Sequence, residues 1–199
     1  MKRKFRHTML AALLLLSCKH PSIVVDPRPA NIEDPVLSVS LRTLVVSGNG
    51  DERPVLEGET LHSGDRIYFM VRSSQTAYLY VVLFGPDDSA NMLFPKAGTQ
   101  DERVPARCAV RIPASGSLYL QLPTGAEDVR VVASAEPLAK ADRRLCEALR
   151  MSCQVPEVEP AKPPPCPADG TRSIFSSVKL ATASERGVAS LRMSFKHDQ

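Results

Sequence analysis

Arg66-Ile-Tyr-Phe-Met-Val-Arg72 and Thr76-Ala-Tyr-Leu-Tyr-Val-Val-Leu-Phe84, parted only by Ser73-Ser-Gln75, decide the fold class. Both runs are rich in β-branched and aromatic residues and read as strands, separated by a short polar break. The second run is apolar on both faces, the pattern of a strand packed between layers. Gly85-Pro-Asp-Asp-Ser89 then supplies a turn with proline at its second position.

Working outward, more strands flank this pair. Val36–Ser47 is β-branched and partly alternating, and Gly48–Pro54 is a turn cluster. Asn91–Phe94 is a short strand stopped by Pro95, Lys96–Arg103 a polar loop, and Val104–Ile112 a weaker strand. Ser117–Leu122 alternates, and Val129–Ala133 is short. The period then changes. Leu138, Ala141, Leu145, Ala148 and Leu149 fall at helical spacing behind Pro137, a residue suited to a helix start. Gln154–Pro167 is too proline-rich for a helix or a central strand. Ser173–Ala181 and Gly187–Phe195 read as a C-terminal hairpin. The expectation is an antiparallel β-sandwich-like domain of about seven to nine strands, with one added α-helix and a C-terminal β-hairpin. The β-domain is placed at 36–138, the helix at 139–152, the linker at 153–170 and the hairpin at 171–199.

The N-terminus carries an address. Lys2, Arg3, Lys4 and Arg6 form a basic n-region, followed by eight apolar residues, Met9–Leu16. A spanning helix needs about 20, so this run is too short to remain in a membrane. It leads into Leu15-Leu16-Ser17-Cys18, which resembles the lipobox read by bacterial lipoprotein-processing enzymes. The resemblance implies that 1–17 is a signal peptide, that Cys18 is fatty-acylated, and that 18–35, with four prolines, is a tether. Lys19 in place of aspartate resembles an outer-membrane address in enteric-type sorting. The expected location is therefore the bacterial cell envelope, lipid-anchored, facing the periplasm or the surface.

Processing also removes the basic balance. The formal charge is +3, but loss of Lys2, Arg3, Lys4 and Arg6 leaves 21 basic against 22 acidic residues. No general electrostatic footprint for nucleic acid remains.

Chemistry-bearing residues are few. Cys108, Cys146, Cys153 and Cys166 remain beside the lipidated Cys18. An exported compartment permits disulfides, and four cysteines allow three pairings. Cys146 with Cys153 or Cys166 fits the clustering. Zinc is disfavoured, because there is no C-x-x-C pair and no nearby histidine. His7 leaves with the signal, His20 lies in the tether and His197 lies near the chain end. His62 is then the one histidine inside the β-domain. Ser115 sits in Ala-Ser-Gly, not in a nucleophile elbow. Asp87-Asp88 with Ser89 and Asn91 is oxygen-rich but lacks EF-hand spacing, and a turn accounts for it. Tyr78 and Tyr80 share a strand face and read as core, with Tyr68 and Tyr119 as the other two tyrosines. No catalytic residue, metal or cofactor is assigned.

Six pieces in order carry a family resemblance. They are Leu61–Phe69 (LHSGDRIYF), Ala77–Val81 (AYLYV), Leu93–Pro95, Pro113–Gly116, Pro123–Glu127 and Val131–Leu138. Together, 58–138 resembles the domain of unknown function 4384 family. The resemblance implies a small β-domain of envelope and signalling proteins, with no established activity or binding residue to carry over. Three readings follow: a non-enzymatic module binding another envelope protein or a cell-wall component, a hydrolase with scattered residues, or a sensory domain for a small ligand.

Overall fold

The computed structural model describes residues 36–96, 103–151, 179–182 and 187–199. Within them the chain forms twelve strands and two short helices. The strands are β1 (Ser38–Val46), β2 (Glu52–Pro54), β3 (Thr60–His62), β4 (Arg66–Ser73), β5 (Ala77–Phe84) and β6 (Ala90–Phe94), then β7 (Arg103–Val104), β8 (Ala109–Ile112), β9 (Leu118–Tyr119) and β10 (Gly125–Ser134). Helices α1 (Leu138–Ala141) and α2 (Arg143–Ala148) follow, then β11 (Lys179–Thr182) and β12 (Val188–Asp198).

Two sheets face each other. Sheet I runs β11-β1-β4-β8, with β2 paired to β1 and β9 to β4. Sheet II runs β3-β12-β10-β5-β6, with β7 paired to β5. Strand alternation sends one side chain in two into the space between them. Val39, Leu41 and Val45 of β1 and Ile67, Phe69 and Val71 of β4 meet Leu79 and Val81 of β5, Val129 and Val131 of β10, and Phe195 of β12. The Thr43 hydroxyl donates to Met193 Sδ at 2.9 Å, from β1 to β12 across the sandwich.

The continuous apolar run at 77–84 has its reason in a third layer. Its other face, Tyr78, Tyr80, Val82 and Phe84, is buried with Val132 against Leu138, Cys146 and Leu149 of the helical segment. β5 thus lies between the core and the helices, and both its faces leave water.

Four expectations need correction. The single helix is two. Asp142 ends α1, and its side chain accepts from the Leu145 N–H at 3.1 Å, capping α2. The C-terminal pair is not a hairpin. β11 pairs with β1 in sheet I, whereas β12 pairs with β10 along ten residues in sheet II. An alternating strand is equally served by either sheet, so its pattern does not choose a neighbour. The sandwich is not wholly antiparallel, since β3 runs parallel to the end of β12. Finally, 104–112 is two strands in different sheets, divided at Arg107, whose φ of 62° turns the chain.

Candidate functional site

The end of β12 carries a polar cluster inside an otherwise apolar interior. Phe195 and His197 both project inward, and the His197 side chain has no exposed surface. On β10, Glu127 projects into the same space ahead of Val129 and Val131. His197 Nδ1 lies 3.3 Å from Glu127 Oε1, off the line of a hydrogen bond. Burial pushes the Glu127 carboxyl up to about 7.

The other imidazole nitrogen meets a turn. His62–Asp65 follows β3, with Gly64 at φ 91°. Ser63 Oγ lies 2.9 Å from His197 Nε2 and 3.3 Å from the Asp198 carbonyl. Serine, imidazole and carboxylate therefore stand in the order that nucleophilic catalysis uses. The serine also lines an open cleft of about 640 Å³ with Tyr119, Gln121, Leu122 and Gln199. Tyr119 and Leu122 are 62% and 69% exposed, large apolar surface for such positions.

What this cluster lacks is an electrophilic partner for the serine. An acyl-transfer site needs N–H donors aimed at the developing oxyanion. The His62 N–H donates to Asp65 Oδ2 at 2.9 Å, and the Asp65 N–H returns to the His62 carbonyl at 3.0 Å. The Ser63 N–H donates to the Asp198 carbonyl at 2.8 Å, and the Gly64 N–H to the Leu120 carbonyl at 3.0 Å. Two of the four amides close the turn on itself, and the other two hold it between β12 and the β9 segment. None points into the cleft.

The residues singled out in sequence fall elsewhere. His62 is exposed at the turn, and only its backbone joins the cluster. Cys108 is buried beside the β7–β8 turn and Cys146 lies under the helical layer, and neither is a free thiol. Cys18, Cys153 and Cys166 lie outside the described residues. Asp87 and Asp88 make the β5–β6 turn, where Asp87 Oδ1 accepts from the Ser89 N–H and Asp88 pairs with Arg150 at 2.6 Å. The tyrosines do not gather: Tyr78 and Tyr80 are under the helices, Tyr68 is on sheet I and Tyr119 is at the cleft. Sequence reasoning missed Ser63, Glu127 and His197. One signal was available: His197 ends an alternating strand on the same side as Met193 and Phe195.

Residues 60–137 match the family model described as Domain of unknown function (DUF4384). This segment is a DUF4384-like domain, close to the 58–138 expected. Ser63 and Glu127 lie within it and His197 beyond it. No curated protein and no solved structure matches the chain.

Proposed function

We propose that this chain is a lipid-anchored bacterial envelope protein whose β-sandwich is a non-enzymatic binding or scaffolding module. Its partner on this reading is another envelope protein or a cell-wall component. The observation that carries the non-enzymatic part is the turn at Ser63. Its four backbone N–H groups are all committed within the fold, so none of them is offered to an oxyanion beside the serine. The cleft fits contact better than chemistry, since Tyr119 and Leu122 present apolar surface at its wall. The anchor is supported by the basic and apolar runs before Cys18, and Lys19 favours the outer membrane. Disulfides at Cys108 and Cys146 belong to the same exported reading.

Two measurements test it. Fatty-acid labelling in a bacterial host should be present in the wild type and absent in Cys18→Ser. A fluorophosphonate probe should leave Ser63 unmodified. A second reading, hydrolysis, is favoured by the 2.9 Å and 3.3 Å contacts along Ser63, His197 and Glu127. Labelling of Ser63 that disappears in His197→Ala, with the fold intact, would replace the binding role with that one.

A further inference from the structure

The two sheets are covered unequally. The outer face of sheet II lies under the helices, whereas no helix of the described residues covers sheet I. Register shows what that face carries around the buried pair Leu44 and Tyr68. Arg42, Met70 and Arg111 stand in one row across β1, β4 and β8. Arg72 stands in the next row, between Ser40 and Ala109, and Arg66 stands between Val46 and Tyr119 at the far end. Paired strands lie about 4.8 Å apart, so Arg42 and Arg111 are separated by only about 10 Å of backbone.

Glu52, opposite Val46, is the acid at an outward position of these strands, and it accepts the Tyr68 hydroxyl at 2.7 Å. Among the described residues, no ion pair joins Arg42, Arg66, Arg72 or Arg111 to a carboxylate. Arg111 lies over the Tyr68 ring, 4.1 Å from its centre, and donates to the Pro113 carbonyl at 2.8 Å. Arg66 donates to the Ser47 carbonyl at 3.3 Å. Arg42 Nε is buried with no hydrogen-bond partner among the described residues, and Arg72 is exposed. Like charges this close repel, and an external anion relieves that repulsion. All four are arginine, whose planar fork matches phosphate oxygens in pairs.

We propose that the outer face of sheet I, centred on Arg42, Arg72 and Arg111, binds the phosphate headgroups of an anionic membrane surface. The identity of that surface rests on the lipoprotein reading: it is the membrane holding the Cys18 anchor. Residues 18–35 enter the fold directly at β1 of this sheet, and eighteen residues span at most about 60 Å. The face therefore stays within reach of the bilayer. Binding here would lay the sandwich on its sheet I side and leave the helical side outward.

The test uses the full chain carrying Cys18→Ser, which cannot be acylated, with vesicles rich in phosphatidylglycerol and vesicles of phosphatidylcholine alone. The basic and apolar runs at 2–16 are common to all samples, so their share, on either vesicle, is what remains in the arginine variants. Binding should strongly favour the anionic vesicles and weaken as salt rises. Each arginine near such a surface is worth about fivefold. Arg72→Gln, at an exposed side chain, should lose about fivefold, and Arg42→Gln/Arg72→Gln/Arg111→Gln about a hundredfold, toward anionic vesicles only. Arg143→Gln/Arg144→Gln on α2 should lose nothing. Equal binding to both vesicles, or a natively folded triple variant that binds like the parent, overturns the proposal. So does binding to an acidic peptide with none to anionic vesicles. Fatty-acid labelling at Cys18 reads the anchor separately: a labelled protein whose Cys18→Ser form ignores anionic vesicles loses this face and keeps the anchor.

Discussion

The Tyr80 hydroxyl accepts a hydrogen bond from the Leu138 backbone N–H at 2.9 Å, and both residues are fully buried. This bond ties the middle of β5 to the first turn of α1, where helix N–H groups have no partner of their own. Tyr80→Phe keeps the ring and strands that N–H. We expect a loss of about 1–3 kcal/mol, read from urea midpoints. Tyr119→Phe, at an exposed position, should change stability by less than about 0.5 kcal/mol. Equal effects at the two sites would mean that the helical layer is not held this way.

Glu127 sets a pH dependence of definite sign. The folded carboxyl holds its proton up to about 7, whereas its ordinary value is 4.5. Between those values the folded state binds more protons than the unfolded one. The contribution is therefore fully present below 4.5 and is lost as pH rises through 7, by an amount on the order of 2–3 kcal/mol. Glu127→Gln should flatten that slope and gain on the wild type at about pH 8. An unchanged slope in urea titrations would remove Glu127 as its source.

Val81 has no exposed surface and pairs with Val131 on one side and Phe94 on the other. A carboxylate there would be buried without a partner. Val81→Asp should cost more than about 4 kcal/mol and leave no cooperative thermal transition, by calorimetry. A cooperative transition near that of the wild type would contradict the packing described.

Cys108 and Cys146 are buried in separate parts of the fold. Protein prepared under oxidising conditions and denatured without reductant should show fewer than four free thiols among Cys108, Cys146, Cys153 and Cys166. Reduction should lower stability by about 2–4 kcal/mol for each bridge opened. Four reactive thiols would refute the disulfide reading.

The strands at 66–84 were legible because composition and period agree there. Arg66–Arg72 and Thr76–Phe84 were expected, and Arg66–Ser73 and Ala77–Phe84 are found. Burial of 77–84 on both faces was legible too, because a run without polar positions has no side to offer water. Sheet assignment was not. β11 and β12 both alternate, yet they complete different sheets, since pairing is settled by distant neighbours such as Gly125–Ser134. The helix break at Asp142 hid in a spacing that two short turns satisfy as well as one helix. The polar cluster was hidden for a third reason. Ser63 and His197 are 134 positions apart, and nothing local to either residue announces the other.

The place of β12 has a consequence for how the chain is made. It is the last strand, yet it sits inside sheet II between β3 and β10. Neither neighbour can complete its hydrogen bonds until the final residues exist. Until residues 188–198 are in place, sheet II lacks the strand that joins β3 to β10. Loss of residues 188–198 would therefore split sheet II, parting β3 from β10, rather than trim its edge.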